Sequence, residues 1–206
     1  ILITHHHLDH TGGINDILSE KSIDVYGPNN NIDSINIRVT NESKIGLLGI
    51  EFEIIEIPGH TLDHIAYYSE NNGDPILFCG DTLFAGGCGR VFEGTFEQMH
   101  DSLLILKNLP LNTKIYCGHE YTESNLRFAK SVEPLNQAII SRYNDVVKLN
   151  KQGIPTLPST IEIELETNPF LRVGLKSIQL EISKKFNTPK NDKDIFAAIR
   201  QWKDNF

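Results

Sequence analysis

The run Ile50–Ile57 sets Ile50, Phe52 and Ile54 against Glu51 and Glu53, the period-two pattern of a half-buried strand, and Ile55 and Ile57 make its end more apolar. Ile65–Tyr68 and Pro75–Cys79 read as two further strands, parted by the turn-forming Asn71-Asn72-Gly73-Asp74. Ile1–Thr4, the stretch around Ile23–Tyr26 within Ser22–Gly27, and Lys114–Cys117 add short strands of the same kind. Thr95–Leu106 changes period: Phe96, Met99, Leu103 and Leu106 mark a helical stripe, and Thr95 with Gln98 forms a capping-box pair at its start. Residues 1–119 are therefore expected to be β-rich with interspersed helices.

Beyond His119 the texture becomes helical. Leu135, Ala138, Ile139, Tyr143, Val146 and Val147 keep helical spacing until Gly153 and Pro155 stop it. Ile195, Phe196, Ile199 and Trp202 repeat the pattern near the C-terminus, while Ile161–Glu166 alternates like a strand. This divides the chain into residues 1–119, with the metal-ligand candidates, and a helical region at 120–206. A chain of 206 residues can bury a real core. No apolar run approaches the roughly 20 residues that cross a bilayer, so no membrane partner is expected. A formal charge of -8 lacks the basic footprint that nucleic acid requires. Three cysteines give no disulfide framework, and a reducing cytoplasm suits them.

The chemistry is concentrated at the start. Four of the eight histidines fall in His5-His6-His7-Leu8-Asp9-His10, and neutral imidazole with ionised carboxylate is a ligand set for zinc, iron or manganese. A surface histidine run or tag remnant would not interleave Asp9 or lead into Thr11-Gly12-Gly13. If Ile1–Thr4 is a strand running into a loop, His5, His7 and Asp9 alternate onto one side, with His6 and Leu8 pointing away. His60, Asp81 and His119 each follow a predicted strand end and adjoin a Gly, at Gly59, Gly80 and Gly118. Loops at one sheet edge would group His5, His7 and His60 for one ion and Asp9, His10 and His119 for another, with Asp81 between them. His6 and His64 are expected to be supporting or structural, and His100 to lie on a helix surface.

The segment Thr4–His10 resembles the T-H-x-H-x-D-H loop of the metallo-β-lactamase superfamily. Within it Thr4–Gly13, Ile57–Tyr68, Phe78–Thr95, Cys117–Ala129, Thr167–Val173 and Arg200–Phe206 are similar to the glyoxalase II (hydroxyacylglutathione hydrolase) family. The resemblance implies an α+β fold: an αββα sandwich followed by a C-terminal helical domain. It also implies first strands lying before Ile1, and a ligand-bearing loop at a chain start would fray, so a fragment of a longer protein is expected. The implied reaction is hydrolysis of S-(2-hydroxyacyl)glutathione by a hydroxide bridging two divalent ions roughly 3.5–4 Å apart. Zinc is expected first, with iron or manganese possible. Asp9 and Asp81 would orient the hydroxide. Arg90, Tyr121, Asn125, Arg200 and Lys203 match substrate-contacting positions, although the i, i+3 pair Arg200–Lys203 by itself also reads as a basic helix end. Asp63 stands where the family often has Gly, a modest adjustment for a residue that tolerates left-handed backbone. A monomer acting on a small glutathione thioester is the expectation. The alternatives are a mononuclear iron enzyme of the persulfide dioxygenase kind and an inactive truncated fragment.

Overall fold

Strand β4 (Ile50–Glu56) carries the alternation seen in the sequence into a six-stranded sheet, second from its edge, burying Phe52 and Ile54 and leaving Glu51 and Glu53 exposed. The computed structural model describes residues 1–187 and 190–206. In chain order α1 is Leu8–Thr11, α2 Ile14–Glu20, β1 Tyr26–Gly27, β2 Ile37–Arg38 and β3 Lys44–Leu47. After β4 come β5 (Ile65–Ser69), β6 (Ile76–Gly80), β7 (Leu83–Phe84), β8 (Gly87–Cys88), α3 (Phe96–Lys107) and β9 (Lys114–Cys117). The helical region comprises α4 (Thr122–Val132), α5 (Gln137–Lys151), β10 (Ser159–Thr160), α6 (Ile161–Thr167), α7 (Lys176–Phe186) and α8 (Asp192–Asp204).

Six strands form one sheet in the order β10-β9-β6-β5-β4-β3, antiparallel except for the parallel pair β6–β9. Alternation sorts its side chains onto two faces. Ala66, Tyr68, Leu77, Cys79 and Ile115 join Met99, Leu103 and Leu106 of α3 and Phe196 and Ile199 of α8 in the larger core. Ile65, Tyr67, Phe52 and Ile54 face the other way, against Val39, Ile45 and the partly buried Leu2 and Tyr26. Tyr67 fastens that layer, donating its hydroxyl to Ile3 O at 2.8 Å. The predicted strand at Ile1–Thr4 reduces to one parallel bridge, Leu2 to Tyr26, and the next strand is only Tyr26–Gly27.

Thr95 and Gln98 make the expected capping box. Helix α5 starts at Gln137 because Asn136 caps it, which leaves Leu135 outside and exposed. The strand expected at Ile161–Glu166 is instead α6. Thr160 caps it by accepting from Ile163 N–H, and helical geometry buries Ile161 and Glu164 while Glu162 and Glu166 face solvent. A strand would have put all three glutamates on one face. His100, expected on a helix surface, is buried against Phe196 with ring centroids 5.5 Å apart, because its face of α3 packs on α8. Among the described residues no helix is long and apolar enough to cross a membrane, and Cys79, Cys88 and Cys117 are unpaired.

Candidate metal centre

His5–His7 enter the short helix α1, whose first turn carries Asp9 and whose last carries His10. Thr11 closes this turn by donating to His7 O at 3.0 Å. Asp9 thus reaches the site from a helix and not by strand alternation, while Leu8 is exposed. His60 lies in the loop between β4 and β5, Asp81 follows β6, and His119 follows β9. The carboxyl ends of parallel neighbours β6 and β9 are adjacent, so topology brings Asp81 and His119 together.

Two sets of lone pairs converge. His5, His7 and His60 offer one group of ligand atoms, and Asp9, His10 and His119 another. His60 Nε2 lies 3.0 Å from His7 Nδ1, and its own Nδ1 lies 2.7 Å from Arg90 O, to which it donates. His10 Nε2 is 3.3 Å from His119 Nε2, which is 3.2 Å from Asp9 Oδ2. Asp81 spans the sets: Oδ1 is 3.3 Å from His10 Nε2, and Oδ2 is 3.6 Å from His60 Nε2 and 3.5 Å from His119 Nε2.

The donors fit divalent ions. Metal–nitrogen bonds of about 2.0–2.1 Å in a tetrahedron put neighbouring ligand atoms roughly 3.3 Å apart, the spacing found here. His5 Nε2 is buried without a hydrogen-bond partner among the described residues, a state costing on the order of 1–3 kcal/mol unless something fills it. Burial and then the surrounding imidazoles push the His5 pKa far down, and burial lowers that of His60, so both stay neutral and ligand-ready. Burial would raise the Asp81 carboxyl. The hydrogen bond from His10 and then the His10 charge outweigh it and lower the Asp81 pKa, while the Asp81 hydrogen bond raises that of His10.

Supporting groups surround the ligands. His64, brought down to about 3 by burial, accepts from Asp81 N–H at 3.0 Å and stacks on His5 with centroids 4.5 Å apart. Gly80 is required beneath it: φ is +47°, and a Cβ would lie 2.4 Å from Thr4 Oγ1 and 2.9 Å from the His64 ring. His6 points away from both sets, its Nδ1 2.9 Å from Asp63 Oδ1 and its Nε2 3.1 Å from Glu93 Oε1. Asp63 is not left-handed. Its carboxylate takes hydrogen bonds from His6 and Asn30, a role for which a Gly has no atoms.

A cleft of about 750 Å³ opens over the ligands. Arg90 and Lys203 stand on its wall, Tyr121 stacks on His119 with centroids 5.2 Å apart, and Phe92 lies edge-on to His7 and His60. Burial, then the Arg200 charge, brings Lys203 down to about 8. Two expected substrate residues are occupied by the protein itself. Asn125 is buried and donates to Ala85 O at 3.0 Å. Arg200 is 2% exposed, with Nη1 2.8 Å from Cys88 O and Nη2 2.9 Å from Asp204 Oδ1. Sequence reasoning passed over Phe92 and Glu93, which loop packing brings to the cleft, and Asp204, which lies one helical turn beyond Arg200 in α8.

A family profile described as "Metallo-beta-lactamase superfamily" matches residues 1–119. The solved ETHE1 structure from Myxococcus xanthus superposes with a TM-score of 0.62 at 25% identity, covering 98% of this chain and 75% of that one. BLEG-1 B3 metallo-beta-lactamase shares the fold at a TM-score of 0.59 and 22% identity, over 83% and 76% of the two chains. Fold and site thus define a member of the metallo-β-lactamase superfamily, a class that binds divalent metal. A second profile, "Hydroxyacylglutathione hydrolase C-terminus", matches residues 120–206. The hydroxyacylglutathione hydrolases of Pseudomonas paraeruginosa and Idiomarina loihiensis are 48% and 47% identical over 208 and 207 residues, spanning all of this chain and 80% of each relative. The chain belongs to the hydroxyacylglutathione hydrolase family.

Proposed function

We propose that this protein hydrolyses the thioester of an S-(2-hydroxyacyl)glutathione, such as S-lactoylglutathione, to glutathione and a 2-hydroxy acid. The observation that carries the reading is the joining of seven metal-ligand side chains and a cationic cleft wall in a chain with these relatives. His5, His7 and His60 would hold one divalent ion and Asp9, His10 and His119 a second, with the Asp81 carboxylate placed between the two sets. When bound, the pair supplies a water ionised near neutral pH and positive charge for the developing oxyanion. The thiolate-free set fits zinc, iron or manganese, and zinc is proposed first.

The chain's own groups do the rest. Asp9 and Asp81 accept hydrogen bonds from the attacking water and so fix its direction toward the thioester carbonyl. Tyr121 and Phe92 wall the reacting centre on opposite sides. The leaving thiolate is a weak enough base to depart without a dedicated acid. Lys203 and Arg90 receive the anionic glutathionyl part, with Arg200 adding positive charge from beneath and Asn125 shaping the floor. Three free thiols suit a reducing cytoplasm.

Thiol release from S-lactoylglutathione, measured alongside elemental analysis, tests the reading. Two ions per chain and rapid thiol release are expected; one iron per chain with no hydrolysis would point to a mononuclear oxygenase. Asp81→Ala should lower both metal content and kcat, the latter by more than about 100-fold, since supporting residues alone are worth 10–100-fold.

A further inference from the structure

Residues 84–90 run through the β7–β8 hairpin to Arg90 and form the wall between the helical region and the ligands. Much of their backbone is held by side chains from beyond residue 120. Asn125 Nδ2 donates to Ala85 O at 3.0 Å, and Asn168 Nδ2 donates to Phe84 O and Gly87 O at 3.3 and 2.9 Å. Glu164 Oε2 accepts from Gly86 N–H at 2.7 Å. Arg200 Nη1 donates to Cys88 O at 2.8 Å and to Gly89 O at 3.4 Å. The next carbonyl, that of Arg90, accepts from His60 Nδ1 at 2.7 Å. Three successive carbonyls are thereby fixed, two by Arg200 and the third on His60.

The bond to Arg90 O selects the His60 tautomer: with the proton on Nδ1, the lone pair lies on Nε2, the atom that faces His7 and Asp81. The segment has no slack on this side. A Cβ on Gly89 would come within 1.9 Å of Asp81 O and 3.2 Å of His60 Nδ1. A shift of the segment therefore meets the backbone of one ligand and the ring of another.

We propose that Arg200 is a positioning residue for the metal centre, acting through residues 88–90 to set the ring of His60 and the backbone of Asp81. The helical region then holds the ligands in place as well as walling the cleft. This rests on His60 and Asp81 being metal ligands. The guanidinium is suited to the task because its planar fork spans two carbonyls and Asp204 at once, which an ammonium cannot.

The test is Arg200→Lys, which keeps the cation and loses the fork. Co(II)-substituted wild-type and variant proteins are compared, without substrate, by visible absorption and by the rate of Co(II) loss to a chelator; kcat and KM follow on the zinc forms. An altered Co(II) spectrum, release faster by about 10–100-fold and a loss mainly in kcat are expected. Lys203→Met, which removes no hydrogen bond to residues 88–90, should keep the wild-type spectrum and release rate. Wild-type spectrum and release in Arg200→Lys, with only KM raised, would overturn the proposal and leave Arg200 as a substrate cation. Failure of the wild type to bind Co(II) would instead overturn the metal-ligand reading itself. Should Arg200→Lys not fold, Asp204→Asn replaces it: this residue holds the other guanidinium nitrogen from the surface, and unchanged spectrum and release there would equally overturn the proposal.

Discussion

Lys203 shows how a single side chain is tuned by where the fold leaves it. Its ammonium stands in the cleft 5.1 Å from the Phe128 ring, beside Arg200 and, among the described residues, without an acidic partner at ion-pair distance. Burial and the neighbouring guanidinium bring its pKa to about 8, so the amine is charged below that value and neutral above it. A carboxylate on the substrate binds the charged form. The kcat/KM of the free enzyme should therefore fall as pH rises through about 8, and Lys203→Met should flatten that limb. Losing one charge-assisted hydrogen bond costs on the order of 1.5–3 kcal/mol, which predicts KM roughly 10–100-fold higher with kcat little changed, because a remote carboxylate is held equally in ground and transition states. An unchanged pH profile in the variant would remove Lys203 from substrate recognition.

At the scale of elements, α6 is the piece whose role exceeds its length. Its seven residues bury Glu164 completely, where the carboxylate meets Arg142 Nη2 at 2.7 Å, Ser159 Oγ at 2.5 Å and Asn168 Nδ2 at 2.9 Å, besides Gly86 N–H. One carboxylate so joins α5, α6 and the hairpin β7–β8. Removing one partner of a buried ion pair leaves the other uncompensated, at a cost of about 3–5 kcal/mol. Glu164→Ala should lose that much in urea unfolding. Arg142→Met combined with Glu164→Leu should lose far less than the sum of the single losses, since neither charge then remains buried alone. Additive losses would mean that the pair is not energetically coupled.

For the whole molecule, folding and metal binding are linked. Seven candidate ligands drawn from His5 to His119 meet only in the folded chain, and the buried His5 Nε2 has no hydrogen-bond partner among the described residues. An ion held at 100 times its dissociation constant adds about 2.7 kcal/mol to stability. Chelation should lower Tm, and zinc should restore it; a Tm indifferent to chelator would place the ligand cluster outside the stability of the fold.

Much of this was legible along the chain because it is written in near neighbours. The period of two at Ile50–Glu56, the stripe and capping box of α3 and the crowding of ligands at His5–His10 depend on residues a few positions apart. The sequence by itself determined the candidate ligand types, the strands that precede His60, Asp81 and His119 and the change to helices after His119. Tertiary structure alone decided what long-range partners impose. Ile161–Glu166 alternates, yet Arg142 and Gly86 draw Glu164 inward and the segment coils. Asp63 answers His6 across 57 positions, and Arg200 answers Cys88 across 112. Such pairs leave no periodicity in the sequence, because the free energy that selects them is that of desolvated polar groups finding partners only once the layers have closed.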